Sequence, residues 1–138
     1  MAKKTTFDFD LIVIGSGAGS SAAATIAARE GKNVAIIEQD TFGGTSPNWG
    51  DVPIKSLLHA ALLFDEARHG ARFGLRSSTI SYNYPSLRNW KDLAVKRTGA
   101  GGNKTYYENE GITVIKGSAH FLSPHEITVN RSKYSAAT

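Results

Sequence analysis

Three short apolar runs have the pattern of strands buried in a parallel sheet. Residues 10–14, 34–37 and 112–115 are rich in β-branched side chains and carry few polar ones. Continuous runs of this kind are typical of parallel strands covered on both faces, whereas a one-sided strand alternates apolar with polar positions. Residues 18–30, between the first two runs, are alanine-rich, lack proline and are followed by a glycine, which predicts a helix and its end. This part of the chain therefore predicts a strand–helix–strand unit.

The middle of the chain has helical rather than strand periodicity. Residues 41–53 contain three glycines and two prolines, which predicts a loop. Residues 54–68 place Leu57, Leu58, Ala61, Leu62 and Phe64 at helical spacing, which predicts a helix. Further predictions are an irregular segment over 70–85 with a possible strand fragment at 79–80, a helix over 87–97, a glycine-rich helix–helix loop over 99–102, a helix over 105–110, and two short strands over 119–122 and 126–129 joined at 123–125.

A glycine-rich turn joins the first predicted strand to the helix that follows it. Its sequence is Gly15-Ser16-Gly17-Ala18-Gly19-Ser20. In such a turn the first glycine permits a tight bend, and the second lets the backbone approach a pyrophosphate without a clash from a Cβ atom. The amides of Ala18 and Gly19 would then lie at the positive end of the helix dipole, where anions are favoured. Ser20 departs from the glycine or alanine usual at the third position, although serine is also small.

An acidic residue stands where this kind of turn needs one. Glu38 ends the second predicted strand, 23 residues after Gly15. A carboxylate there can accept hydrogen bonds from a pair of ribose hydroxyls, and it would repel a 2′-phosphate. Strand, turn, helix, strand and acid in this order predict dinucleotide binding; the alternative is a glycine-rich turn that binds nothing. The predicted fold class is α/β, a partial Rossmann-like (FAD/NAD(P)-binding) domain with a parallel sheet, a helical insert and a small C-terminal β meander.

The composition of the chain excludes several other kinds of protein and of functional site. The chain has 138 residues, a net charge of +4 and no cysteine, which excludes a disulfide framework, a thiolate metal site and a cysteine nucleophile. The charge is too small and too dispersed to indicate nucleic-acid binding. The four histidines, His59, His69, His120 and His125, do not share a metal-ligand spacing, so they are predicted to be surface residues without a metal. We also expect no membrane partner and a cytoplasmic location, because neither a spanning segment nor a signal peptide is evident.

One segment resembles the redox motif of a known family. Residues 43–55 read Gly-Gly-Thr-Ser-Pro-Asn-Trp-Gly-Asp-Val-Pro-Ile-Lys. They are similar to the motif Gly-Gly-Thr-Cys, four residues, Cys, one residue, Pro-Ser-Lys of the pyridine nucleotide–disulfide oxidoreductases, the group of dihydrolipoamide dehydrogenase, glutathione reductase and mercuric reductase. The matching positions are Gly43, Gly44, Thr45, Asn48, Gly50, Pro53 and Lys55. Residues 117–121 also resemble the Gly-x-Ala-x-Phe strand of that family.

The resemblance implies a cofactor and a set of residues that hold it. In the family the glycine turn holds the pyrophosphate of FAD, the acid holds the adenosine ribose, the motif threonine lies by the phosphates and the motif lysine lies beside the flavin. FAD rather than NAD is thus implied here, with NAD(P)H as the electron donor of the full-length protein. The implied cofactor-binding residues are Gly15, Gly17, Ala18, Gly19, Glu38, Gly43, Gly44, Thr45, Ser46, Lys55 and Ala119.

The motif departs from the family pattern at the two positions that carry the redox-active cysteines. Ser46 and Asp51 occupy the two cysteine positions, and Ile54 replaces the motif serine. A cysteine pair stores two electrons as a disulfide, which serine and aspartate cannot do. The resemblance with this departure implies that electrons pass from FAD to a non-disulfide acceptor, such as a quinone, oxygen or another small molecule.

Three residues of the motif have alternative interpretations. Asp51 is a catalytic candidate, because a carboxylate could imitate the charge of a thiolate or donate a proton. Alternatively, Asp51 is a hydrogen-bonded or solvated side chain, or the N-cap of the helix of Lys55. Ser46 as a nucleophile lacks an identifiable base, and Lys55 is either a flavin contact or an exposed surface lysine.

The resemblance also concerns what lies beyond this chain. Family members continue into an Ala-Thr-Gly strand, a nicotinamide-binding domain and a dimerisation domain. The expected partners are therefore the remainder of the protein's own chain and, for the full-length protein, a second copy in a homodimer. The exposed sheet edges of a truncated domain would favour self-association. The remaining alternatives are a non-catalytic adenine-dinucleotide-binding module and a structural domain that binds nothing.

Overall fold

The computed structural model of the protein describes residues 6–76, 79–98 and 104–138. The predicted loop at 99–102 falls outside the described residues. The described chain divides into two units, one of residues 6–44 with 104–138 and one of the described residues between 45 and 98. In chain order the elements are β1 (Leu11–Ile14), α1 (Ala18–Arg29), β2 (Val34–Glu38), α2 (Thr45–Trp49), α3 (Asp51–Arg68), a 3-10 helix (Gly70–Phe73), α4 (Tyr84–Arg97), α5 (Thr105–Asn109), β3 (Thr113–Lys116), β4 (Ala119–Ser123), β5 (Glu126–Val129) and β6 (Ser132–Ser135).

The first unit is built on a parallel sheet in the order β1-β2-β3. Ile12 pairs with Ala35 across β1 and β2, and Ile36 pairs with Val114 across β2 and β3. All five residues of β2 are buried, which confirms the prediction of a strand covered on both faces. The buried core around α1 is formed by Ala24, Val34, Ile36, Phe42, Tyr107 and Ile112. The strand–helix–strand prediction and the α/β, partial Rossmann-like fold class are thus confirmed.

The first strand is less buried than its sequence predicted. Three residues of β1 are half-buried, and Ile14 is 45% exposed because it lines a cleft at the carboxyl end of the strand. The free side of β1 is paired with the last residues of the chain. Phe9 forms a parallel bridge with Ala136, and the Ile12 amide donates to the Thr138 carbonyl at 3.0 Å. Residues 136–138 therefore extend the parallel sheet beyond β1.

The C-terminal meander is an antiparallel sheet in the order β4-β5-β6, as predicted. Asn130 and Arg131 form the two-residue turn between β5 and β6, with φ angles of 49° and 71°. Positive φ at both positions is typical of the tight hairpin turns that match the twist of the strands. Gly117 leads from the parallel sheet into this one, and its amide donates to the Glu38 carbonyl at 2.9 Å. The meander thereby lies next to the carboxyl end of β2.

The second unit begins with two helices where the sequence predicted a loop. The loop prediction for residues 41–53 is wrong from Thr45 onward, since α2 begins there and α3 already begins at Asp51. Gly50 allows α3 to follow α2 directly. Its amide donates to the Thr45 carbonyl at 2.9 Å, and a Cβ at Gly50 would lie only 3.3 Å from the Cα of Ser46, so a larger residue would be crowded between the two helices. Pro53 lies in the first turn of α3, where a missing N–H costs no helical hydrogen bond.

After α3, the described part of the second unit contains the 3-10 helix and α4 but no strand. The strand fragment predicted at 79–80 is wrong, because the described strands all belong to the first unit and residues 79–80 have no strand to pair with. Helix α4 begins at Tyr84 rather than at residue 87, since the Asn83 side chain accepts a hydrogen bond from the Ser86 amide at 2.9 Å and Pro85 suits the first turn. The described helices include none with the length and apolarity needed to cross a membrane.

Candidate functional site

The glycine turn has the backbone geometry that its sequence predicted. Gly15 has a φ of +90°, which glycine adopts readily, and its amide donates to the Ile37 carbonyl at 2.7 Å. Gly17 is the N-cap of α1, and a Cβ atom placed on it would meet nothing within 4 Å. No side chain caps this helix, and its first turn contains no acidic residue. The first amides of α1, including those of the exposed Ala18 and Gly19, are therefore available to an anion.

The first two residues of the redox-like motif lie against this turn. Gly43 and Gly44 have φ angles of +97° and +73°. A Cβ on Gly44 would lie 2.8 Å from the Cα of Gly17 and 3.3 Å from its nitrogen. Backbone atoms cannot give way to such a contact as the end of a flexible side chain can. Gly44 is therefore required to be glycine on two grounds, its φ angle and its closeness to Gly17.

The Glu38 carboxylate is buried and hydrogen-bonded. Glu38 is 8% exposed. Its Oε2 accepts from the amide of Ser16 at 2.9 Å and from the hydroxyl of Ser16 at 2.7 Å, while its Oε1 accepts from the amide of Asp40 at 2.8 Å. Burial raises the pKa of Glu38, but the hydrogen bonds from Asp40, Ser16 and Gln39 outweigh it and hold the pKa below its usual value. Glu38 is thus an ionised group at the end of β2.

Three of the predicted site residues line one cleft. Gly15, Glu38 and Ala119 surround a cleft of about 180 Å³ together with Gly117 and Ser118. They come from the end of β1, the end of β2 and the start of β4, which meet at the carboxyl edge of the parallel sheet. Ligands of open α/β sheets bind at this edge. The first unit therefore has a cleft next to the glycine turn, at the edge of the sheet where ligands bind.

The second unit brings together the residues at the two cysteine positions of the family motif. The Ser46 hydroxyl donates to Oδ2 of Asp51 at 2.7 Å, and the Nζ atom of Lys55 lies 3.8 Å from Oδ1 of Asp51. The N-cap interpretation of Asp51 is wrong, because Gly50 is the N-cap of α3 and Asp51 is its first helical residue. A carboxylate in the first turn is favoured by the helix dipole. The side chains of Asp51 and Lys55 are 64% and 78% exposed, and Thr45, the first residue of α2, is exposed too.

We expect two cysteines at positions 46 and 51 to form a disulfide. The side chains of Ser46 and Asp51 already touch, and a disulfide needs β-carbons that approach to about 4 Å. The double variant Ser46→Cys/Asp51→Cys should lose its two thiol hydrogens on mild oxidation, as measured by intact mass and by resistance to alkylation. The matched control is Ser46→Cys/Ser56→Cys, since Ser56 bonds instead to the Val52 carbonyl at 2.7 Å. Two freely alkylated thiols in the first variant would contradict the expectation.

The sequence did not indicate every residue of the site. The sequence indicates Ser16 only as part of the glycine turn, yet Ser16 is fully buried and hydrogen-bonded to Glu38. Tyr107 donates from its hydroxyl to the Ser16 carbonyl at 3.4 Å, and no sequence signal pointed to it. All four histidines are exposed, as predicted. In the described part of the chain, no three histidine, aspartate or glutamate residues are grouped so that they could hold a metal.

Comparison with known proteins adds to this geometry. Residues 9–138 match the family described as pyridine nucleotide-disulphide oxidoreductase. The chain is 39% identical over 132 residues to a glutathione reductase of Burkholderia cepacia, covering 96% of this chain and 29% of that protein. It is 34% identical over 124 residues to a dihydrolipoyl dehydrogenase of Staphylococcus aureus, covering 90% and 26%, and 36% identical over 125 residues to the mitochondrial dihydrolipoyl dehydrogenase 2 of Arabidopsis thaliana, covering 89% and 24%.

These matches have two consequences. The chain spans about a quarter of the length of the curated relatives named above. The family match nevertheless includes the glycine turn, the carboxylate of Glu38, the motif with Ser46 and Asp51, and the strand that contains Ala119. The chain belongs to the pyridine nucleotide-disulphide oxidoreductase family.

Proposed function

We propose that this chain is the FAD-binding region of an oxidoreductase. The observation that carries the proposal is the meeting of Gly15, Glu38 and Ala119 around one cleft beside an uncapped helix N-terminus. These residues are far apart in sequence, and the parallel sheet brings them together at the edge where ligands of open α/β sheets bind. The full-length protein would act as a homodimer that takes electrons from NAD(P)H.

The residues of the first unit suit the adenosine diphosphate half of FAD. Gly17 leaves room for a pyrophosphate, and the first amides of α1 would donate hydrogen bonds to it. The Glu38 carboxylate would accept from the adenosine ribose, and the backbone of Ala119 would contact the adenine in the cleft. No acidic residue in the first turn of α1 opposes the negative charge of the phosphates.

The chemistry of the motif limits where the electrons can go. FAD, when bound, supplies the capacity to accept a hydride and to release its electrons singly or in pairs. Ser46 and Asp51 are hydrogen-bonded to each other, and neither can be oxidised as a thiol pair can. The proposed acceptor is therefore a molecule other than a motif disulfide, such as a quinone or oxygen. Asp51 would contribute a negative charge or a proton, and Lys55 and Thr45 are further proposed cofactor contacts.

A second candidate function follows from the same pair of residues. If the replacement of both cysteines by Ser46 and Asp51 has removed the activity, the chain is a non-catalytic module that binds an adenine dinucleotide. The flavin absorbance of the purified protein distinguishes the two. A bound flavin that NAD(P)H bleaches in the full-length protein supports the oxidoreductase, whereas affinity for ADP without flavin reduction supports the binding module.

Gly17→Ala tests the phosphate site directly. The added methyl meets no protein atom and φ at Gly17 is −64°, so the expected loss of stability is at most about 1 kcal/mol, because alanine is a poorer N-cap than glycine. The methyl would occupy the space proposed for the pyrophosphate, and ADP affinity measured by calorimetry should fall about tenfold or more, which is ~1.4 kcal/mol. The exposed Ala22→Ser, in the same helix, is the control. Unchanged ADP affinity of a folded Gly17→Ala protein would contradict the proposed site.

A further inference from the structure

Ser16 connects the glycine turn to three other segments of the first unit. It is fully buried. Its amide and its hydroxyl both donate to Oε2 of Glu38, at 2.9 and 2.7 Å. Its hydroxyl oxygen accepts from the amide of Gly43 at 2.9 Å, and its carbonyl accepts from the hydroxyl of Tyr107 at 3.4 Å. The amide, the hydroxyl and the carbonyl of Ser16 therefore all form hydrogen bonds.

The direction of the Ser16 hydroxyl proton follows from these bonds. A serine hydroxyl has one proton to donate and two lone pairs that accept. Because the Gly43 amide donates to the Ser16 oxygen, the single proton is left for Glu38. Alanine at position 16 would keep the bond from the backbone amide to Glu38 and lose both bonds of the hydroxyl.

The same bonds limit how Glu38 can bind a ligand. A carboxylate has about four acceptor positions. Ser16 uses two of them, the amide of Asp40 uses a third, and the backbone of Gln39 makes a smaller contribution. Since donors hold both carboxylate oxygens, the carboxylate cannot rotate without breaking a hydrogen bond. Glu38 also lines the cleft, so a sugar hydroxyl bound there would meet a carboxylate whose direction these donors fix.

We propose that Ser16 is a positioning residue that orients the Glu38 carboxylate toward the sugar of a bound nucleotide, and that it thereby sets the preference of the site for ribose over deoxyribose. The inference rests on the proposed function, because it requires that an adenine nucleotide occupies the cleft. Ser16 acts through Glu38 and does not touch the sugar itself. Its contribution is thus to selectivity between nucleotides, in addition to any effect on stability.

The test compares two ligands that differ only in the sugar. Binding of ADP and of 2′,3′-dideoxy-ADP is measured by calorimetry on the natural chain and on Ser16→Ala. A hydrogen bond to a charged group is lost with the dideoxy sugar, so the natural chain should prefer ADP about tenfold or more. In Ser16→Ala this preference should fall to about twofold or less, while the affinity for the dideoxy compound changes little. Ser132→Ala, an exposed serine of β6, should keep the natural preference.

The outcomes separate this inference from the proposed function. If the natural chain binds ADP and Ser16→Ala weakens both ligands equally, the role of Ser16 is only structural and the inference is overturned. If the natural chain binds neither ligand, the proposed function fails, and the inference fails with it. Glu38→Gln provides a second variant should Ser16→Ala not fold. It should also lose the preference for ADP, and a preference like that of the natural chain would overturn the inference, because Ser16 acts through this carboxylate.

Discussion

Replacing Glu38 by alanine is expected to lower the free energy of unfolding by about 2–4 kcal/mol and to weaken ADP binding about 100-fold. Ser16, which is fully buried, donates two hydrogen bonds to the carboxylate, and the amide of Asp40 donates another. Removal of the carboxylate leaves buried donors without a partner, which costs more than the loss of an exposed contact. It also removes the group proposed to bind the ribose. Urea unfolding and ADP calorimetry measure the two effects, with the exposed Glu126→Ala as the control.

The stability contributed by Glu38 should depend on pH. Burial raises the pKa of this group, but the hydrogen bonds from Asp40, Ser16 and Gln39 hold the pKa lower in the folded protein than in the unfolded chain. The contribution is therefore fully present above the unfolded pKa, about 4.3, and is lost as the pH falls through the lower, folded pKa. The charged neighbours are Asp40 and Lys116, which is paired with Glu38 across β2 and β3. Glu38→Gln should flatten the acid side of the stability curve, and an unchanged curve would contradict this assignment.

The second large effect is expected at Gly44. Gly44→Ala should lower the free energy of unfolding by about 2–5 kcal/mol, because left-handed backbone and overpacking each destabilise. The φ angle is +73°, and the new Cβ would lie 2.8 Å from the Cα of Gly17. Gly31→Ala is a matched control in the same unit, since its φ is +78° and a Cβ there meets nothing within 4 Å.

The difference between these two glycine variants isolates the contact with Gly17. Gly31→Ala should cost only the backbone part, about 1–2 kcal/mol. Urea unfolding of both proteins measures the difference directly. If Gly44→Ala cost no more than Gly31→Ala, the close approach of Gly44 to Gly17 would not exist in solution.

Local patterns predicted the parallel sheet and the position of the glycine turn and Glu38 in it. The strands, the glycine turn and Glu38 follow from short-range rules, since buried strands need apolar side chains and a tight turn needs glycine. The carboxyl ends of β1 and β2 must lie at one edge of a parallel sheet, which brings Gly15 close to Glu38. The cleft could therefore be predicted from the sequence, apart from its volume.

The features that the sequence did not predict depend on contacts between distant segments, or on residues such as proline and glycine that occur both in loops and at helix ends. Tyr107 reaches Ser16 across 91 residues, and no periodicity indicates such a pairing. Helix α2 was predicted as loop because Pro47 and its neighbouring glycines are typical of loops, although Gly50 allows two short helices to meet. The burial of β1 was overestimated, because an apolar run does not reveal that Ile14 lines a cleft.

The junction that Ser16 forms with Glu38, Gly43 and Tyr107 has a consequence for the order of folding. It joins segments 22 and 91 residues apart, and such distant pairings form after the local helices because long loops are costly to close. We therefore expect the junction to be absent from the folding transition state. Interactions absent from that state slow unfolding without accelerating folding. A nucleotide bound in the cleft beside this junction would therefore slow the unfolding of the chain and leave its folding rate unchanged.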